Sequence, residues 1–252
     1  MADPRLSSEP GRAPRHLAGE ARHRGRSVLR TLKRRWTGWV SFAVVSAAIP
    51  HPARGQLVDR GAFVLYRNGV EVGVEDFSIH RQGTGGAQLV VATSMVRVRG
   101  GSTLTTSLSL AGPEMAPSEY SVMAAGADTT SVRIVRAGRR FRSRRIDSAG
   151  EEERAYPIRG ASVILDAGVA HLYFVLAELA DGSVVHPLMP LEGRQLGAAR
   201  VERAAETIRI GGAPTETTRV RLGSVGEAWF DGSGRLLRVR VGEGGFVAER
   251  RP

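Results

Sequence analysis

The stretch AFVLYRNGVEVGVEDFSI, residues 62–79, decides the fold. Residues 62–67 and 70–79 read as strands, the second with apolar side chains recurring at a period of two, the mark of one buried and one wet face. Between them Asn68-Gly69 supplies a pair that tolerates the positive φ angles of a type I′ turn, so the stretch reads as a β-hairpin. In its second strand the apolar phase runs Val70, Val72, Val74 and then moves to Phe77 and Ile79, which predicts a bulge near Glu75-Asp76.

The same period continues outward from this hairpin. Residues 88–99, 102–110, 119–124, 130–136 and 140–146 read as strands bounded by Gly, Pro or Asp, and 207–210, 217–222, 226–230, 236–241 and 246–250 form a second series. Asp231-Gly232-Ser233-Gly234 is the turn near the end. Short, regular spacing without a helical pattern after each strand favours an antiparallel sheet, curved into a half-barrel or closed, over βαβ units. One segment breaks the period: Val169, Leu172, Tyr173, Leu176 and Leu179 fall at helical spacing, with Asp166 placed to cap and Asp181-Gly182 to terminate. Because Phe174 and Val175 make it apolar on nearly every side, this helix is expected to be buried against the sheet. The predicted class is therefore mainly β, a β-rich α+β fold with one substantial buried helix at about 166–180. A weaker helical pattern covers 196–205.

Charge divides the chain. Residues 1–55 hold one Lys and ten Arg against Asp3, Glu9 and Glu20, whereas 56–252 hold 25 basic and 22 acidic residues, a net of +3 that does not mark a polyanion binder. Residues 1–27, rich in Arg, Ser, Pro, Gly and Ala with no apolar period, read as a disordered extension. Residues 28–55 read as a signal peptide. Arg30, Lys33, Arg34 and Arg35 form a basic n-region, the apolar core runs from Trp36 to Ile49, and Ala53 and Gly55 stand at the −3 and −1 places for cleavage before Gln56. At about 1.5 Å per residue the core spans about 21 Å, short of the roughly 30 Å hydrocarbon layer, which favours cleavage over anchoring. The expectation is an exported periplasmic or extracellular protein, soluble after cleavage, with one β-rich domain at 56–252.

Composition removes whole classes of chemistry. The chain has no cysteine, which excludes disulfides, thiolate catalysis and Cys-ligated zinc. Lys33 is its only lysine, so 56–252 cannot supply a Schiff-base or phosphate-binding lysine. His80, His171 and His186 lack metal spacing, Gly-x-Ser-x-Gly does not occur, and Gly83, Gly85 and Gly86 precede no helix. No metal, cofactor or catalytic residue is expected, and these gaps weigh against an enzyme, though a hydrolase with a site assembled from loops stays open.

The opening strand-Asn-Gly-strand from Phe63 to Phe77, the apolar segment after Leu165-Asp166, and the closing Trp229-Phe230-Asp231-x-x-Gly234-x-Leu236-Leu237 resemble the uncharacterised exported bacterial β proteins whose curved sheets are similar to LolA-type carrier half-barrels. The resemblance covers most of 60–250 and implies a fold more than a function; in such carriers an incomplete barrel wraps an apolar ligand. On that basis the leading expectation is a non-enzymatic protein that binds a lipid or other amphiphile inside the sheet. The candidate lining residues are Phe63, Leu65, Phe77, Leu172, Phe174 and Trp229, each of which ordinary core packing explains as well. A structural or partner-docking envelope protein is the alternative.

Arginine alternates with apolar residues in several strands, as at 219–222 and 238–241, and gives one sheet face an arginine-rich surface. Arg139 to Arg145 followed by Glu151 to Glu153 reads as a self-compensating exposed hairpin. Within it Arg140, Arg142 and Arg144 are candidates for peripheral contact with anionic membrane head groups. Nucleic acid is not an expected partner, because Phe141 is the lone aromatic among these arginines.

Overall fold

The computed structural model describes residues 55–126, 128–242 and 245–251. The expected N-terminal extension and all but the last residue of the expected signal peptide lie outside the described residues. Sixteen strands make up one sheet: β1 (Gln56–Arg67), β2 (Val70–Gln82), β3 (Leu89–Val98), β4 (Thr103–Ala111), β5 (Ala116–Ala125), β6 (Thr130–Ala137), β7 (Arg140–Asp147), β8 (Gly150–Pro157), β9 (Ser162–Ile164), β10 (Val184–Met189), β11 (Arg194–Gln195), β12 (Ala199–Ile210), β13 (Ala213–Leu222), β14 (Gly226–Phe230), β15 (Leu236–Val241) and β16 (Phe246–Arg250). The spatial order is β11-β10-β12-β13-β14-β15-β16-β1-β2-β3-β4-β5-β6-β7-β8, with β9 paired in parallel to β10 and every other pair antiparallel.

The last strand closes onto the first. β16 pairs with β1, and Arg250 reinforces the junction by donating from both terminal nitrogens to the Asp59 carboxylate at 2.8 Å while its guanidinium lies over the Phe77 ring. The two ends of the order meet differently. Arg145 donates to the Leu191 carbonyl, Arg154 to that of Gly193, and Gln195 to that of Pro157, so side chains span the seam between β8 and the β10–β11 hairpin, and no ladder closes the sheet there among the described residues.

The first hairpin forms as its sequence predicts, with Asn68 and Gly69 at φ 51° and 79°. The bulge lies elsewhere. Between the pairs Leu65–Gly73 and Tyr66–Glu71 the extra residue is Val72, while Gly73, Glu75, Phe77 and Ile79 alternate inward without a break. The apparent change of phase at Glu75-Asp76 is instead a carboxylate on the buried face.

The expected substantial helix at 166–180 is corrected too. Ala170–Glu178 forms consecutive 3-10 turns, far longer than the usual run of three or four residues. Being apolar on nearly every side, the segment has no 3.6-residue face to enforce α geometry, and the sheet satisfies both its ends. Glu75 accepts the amide hydrogens of Ala170 (2.7 Å) and His171 (3.3 Å), while Arg203 of β12 donates to the carbonyls of Leu176, Ala177 and Leu179. A carboxylate at the N-terminal end and a guanidinium at the C-terminal end also complement the peptide dipoles. This segment plugs the curved sheet: Leu165, Val169, Leu172, Tyr173 and Leu176 have no solvent exposure and join one core with Phe63, Leu108, Ile134, Val201 and Val239. The weaker helix expected at 196–205 is strand from Ala199 onward, because β12 pairs with β13 over ten consecutive positions and that ladder overrides a helix-favouring composition.

Candidate functional site

Polar chemistry is concentrated in the interior around the plug, and the most voluminous hollow among the described residues lies on the outer face between β2 and β7, with another of about 300 Å³ lined by Met115, Arg136, Ile158 and Val175. In the interior, Glu75 and His171 are fully buried with the His171 Nδ1 2.6 Å from Glu75 Oε1, so the carboxylate meets three nitrogens of the plug. Tyr120 of β5 donates its hydroxyl to Asp166 Oδ2 (2.6 Å), and the Leu191 amide donates to Asp166 Oδ1 (2.9 Å). Burial raises the Asp166 carboxyl to about 6, against the opposing pull of the Tyr120 and Leu191 hydrogen bonds. Burial, then the nearby Asp166 charge, pushes the Tyr120 and Tyr173 hydroxyls well above their ordinary range.

This geometry ties the plug to β2 and the residue leading into it to β5. The Glu75–His171 pair has the orientation of a carboxylate-held imidazole, yet His171 Nε2 has no hydrogen-bond partner among the described residues and the ring stacks toward Phe77, with centroids 6.3 Å apart, among the buried side chains of the core. Its hydrogen bonds position the backbone at the start of the plug. Among the described residues no group of three or more His, Cys, Asp or Glu side chains is arranged to hold a metal ion.

The structure separates the candidate lining residues. Phe63, Leu65, Phe77 and Leu172 are core, Phe63 and Phe77 stacking at 5.0 Å, while Phe174 is half-buried at the mouth beside a small hollow of about 70 Å³. Trp229 stands on the opposite face of the sheet, where its indole donates to Glu206 (3.2 Å) under the Arg240 guanidinium. The six therefore do not surround one cavity. Arg140, Arg142 and Arg144 do share the outer face of β7.

That outer face is hollowed. A depression of about 810 Å³ runs across β2 to β7. Strand register explains its lining. Ser78, Thr93, Ser107 and Ser121 stand opposite one another in a row across β2–β5, continued by Arg133 and Arg144. The adjacent row is Asp76, Met95, Thr105, Met123, Ser131 and Ile146. Small residues leave the strands uncovered and make the floor, while Met95, Met123 and Ile146 stand exposed along it. The Ser78 and Thr93 hydroxyls bond each other at 3.1 Å, which spends polarity that would otherwise face the hollow. Asp76 is paired with Arg97 at one side.

A second hollow of about 470 Å³ adjoins the first, and Arg133, Arg142, Arg144, Arg154 and Glu153 are the charged residues that line it. The two share Arg133 and Arg144. On the arginine face of β13–β16 the guanidiniums also pair with carboxylates: Arg219 with Glu206, Arg221 and Arg240 with Glu227, and Arg238 with Glu249.

Sequence reasoning overlooked both places. Glu75 is hidden as a slip of phase. The groove had a signal, since Ser78, Thr93, Met95, Thr105, Ser107, Ser121, Met123 and Ser131 put uncharged residues on the wet phase of five successive strands, where charges are the ordinary choice.

No protein-family model and no curated protein matches the chain. A solved crystal structure is similar: a beta-barrel-like protein of domain of unknown function DUF1849 from Brucella abortus, 8% identical, with a TM-score of 0.46 over 78% of this chain and 96% of that one.

Proposed function

We propose that this chain is an exported, non-enzymatic binding protein whose ligand is an amphiphile lying in the outer groove between β2 and β7. The supporting observation is a hollow of about 810 Å³ with a small-residue floor and exposed Met95, Met123 and Ile146, bounded by Arg133 and Arg144. Its volume falls in the range of small-molecule sites, roughly 300–1,000 Å³. Exposed methionines adapt to chains of variable shape, and apolar surface collected in one groove is what a ligand chain would cover. Export rests on the basic leader and apolar core at 28–55. The proposal moves the ligand from the sheet interior, which the plug fills, to the outer face.

The test is native mass spectrometry with lipid extraction on the protein purified from its own envelope, alongside Ser107→Trp, which places an indole in the middle of the floor. The expected result is a co-purifying amphiphile on the parent chain and a clear loss on the variant, with the melting temperature unchanged. Equal loading of the two proteins, or no amphiphile on the parent, would overturn the proposal.

A further inference from the structure

We infer that the groove takes a single-chain amphiphile bearing an anionic oxygen head, carboxylate or phosphate, and that Arg133, Arg144 and Arg142 receive that head. The inference rests on the groove reading above and adds the chemistry of the ligand. Its basis is the junction of two hollows of different character. The larger has the small-residue floor with Met95, Met123 and Ile146; the smaller, about 470 Å³, has four arginines, Arg133, Arg142, Arg144 and Arg154, beside Glu153, and of these Arg154 is taken up by Glu152 and the Gly193 carbonyl. Arg133 and Arg144 belong to both linings, so a molecule extended from one hollow into the other passes from apolar contact to guanidinium contact at these residues.

Arg133 and Arg144 stand directly opposite each other across β6 and β7. Like charges at opposed positions of an antiparallel pair are unfavourable, so this arrangement is not what sheet stability alone selects. Each is partly engaged. Arg133 donates from Nε to Glu119, and Arg144 donates from Nε and one terminal nitrogen to the two oxygens of Glu151. These carboxylates orient the two guanidiniums and leave the remaining N–H groups to the hollow. Arg142 forms no ion pair among the described residues and lines the same hollow. A planar guanidinium presents N–H groups matched to two oxygens of one carboxylate or phosphate; a neutral head accepts them without charge assistance, and a cationic head is repelled.

The apolar part argues for one chain. The floor is a track one row of hydroxyl residues wide, Ser78 to Ser121 over four strands, flanked by the methionine row. At about 4.8 Å between strands, four strands give a track of roughly 15 Å, which suits an extended acyl chain lying across them.

The test uses titration calorimetry below micelle concentration with four probes of equal chain length: tetradecanoate, tetradecyl phosphate, monotetradecanoylglycerol and tetradecyltrimethylammonium. The proteins are the leader-cleaved chain, Arg133→Gln/Arg144→Gln, Arg142→Gln, Ser107→Trp and, on the distant face, Arg221→Gln. The parent is expected to prefer an anionic probe over the neutral one by about tenfold or more, a preference that shrinks with salt. Arg133→Gln/Arg144→Gln should lose the preference while keeping its affinity for monotetradecanoylglycerol, Arg142→Gln should lose part of it, and Arg221→Gln should behave as the parent. The carboxylate and phosphate arms show which head is bound. Equal affinity of the parent for anionic and neutral probes, both abolished by Ser107→Trp, would overturn the head-group assignment and leave the groove reading standing. Failure of every probe would sink the groove reading itself. A loss of flotation with anionic vesicles in the double arginine variant, without any change in monomer binding, would assign these arginines to a membrane surface and overturn the inference.

Discussion

Glu75 and His171 are 96 residues apart in the chain and 2.6 Å apart in the fold, both without solvent exposure. Their contact, with the two amide hydrogens that Glu75 also accepts, fixes where the plug begins. Removing a buried carboxylate from three donors leaves each of them unpaired, which is costlier than never having formed the pair. Glu75→Ala is expected to lower unfolding free energy by about 3–5 kcal/mol. Glu75→Gln should cost less, since its amide oxygen still accepts one backbone hydrogen bond. Urea unfolding of both variants decides; equal stability of Glu75→Ala and the parent would show that the plug is held by apolar packing alone.

Asp166 makes stability depend on pH in an unusual direction for a carboxylate. Its folded value of about 6 lies above the ordinary 3.8, so the neutral form is the one the fold prefers. A group with a raised folded value contributes stability that is fully present below the unfolded value and is lost as pH rises through the folded one. Here the window runs from about 3.8 to about 6, and a rise of about two units corresponds to about 3 kcal/mol. Charged or titratable groups around it are Tyr120 on β5, Tyr173 in the plug and Glu192 beyond β10. Asp166→Asn keeps a neutral side chain at every pH. The difference in unfolding free energy between Asp166→Asn and the parent should therefore grow by about 2–3 kcal/mol in favour of the variant from pH 4 to pH 7.5. A difference independent of pH would show that Asp166 is not held neutral by its surroundings.

The sheet was legible where one face is apolar and the other wet. β14, β15 and β16 begin and end where alternation predicts, because each carries its own period and turn residues. β8 left no such trace: Glu151, Glu152, Glu153 and Arg154 fill its middle, and its single buried side chain is Tyr156. Arg154 on that strand serves the seam, so the pattern follows side-chain bonding to Gly193 and not apolar burial. The plug's burial was legible from its apolar surround, but its 3-10 form was not, since it depends on Glu75 and Arg203 from distant strands. Glu75 itself defeats a pattern argument because an inward carboxylate looks like a break in phase. The groove emerges only when register sets Ser78, Thr93, Ser107 and Ser121 side by side, a relationship no single strand contains.

Two glycines of the first hairpin separate space from backbone conformation. At Gly69 an added Cβ meets nothing within 4 Å, but the backbone sits at φ +79°, where a side chain is strained. Gly69→Ala should cost about 1 kcal/mol, through conformation alone. At Gly73 a Cβ would collide with the Arg97 carbonyl oxygen and lie 3.1 Å from the Val98 Cα, both backbone atoms of β3. No rotamer relieves that contact, because it lies between the added Cβ and backbone atoms. Gly73→Ala must part the two strands, at a cost of about 2–3 kcal/mol, the range for forcing atoms into a packed site. Because β3 carries Thr93 and Met95 of the outer groove, the same change should weaken binding of a tetradecyl probe, whereas Gly69→Ala should not. Thermal unfolding and calorimetry on the pair check both halves: equal losses of stability would refute the steric account, and unaltered binding by a destabilised Gly73→Ala would show that the groove does not depend on the spacing of β2 and β3.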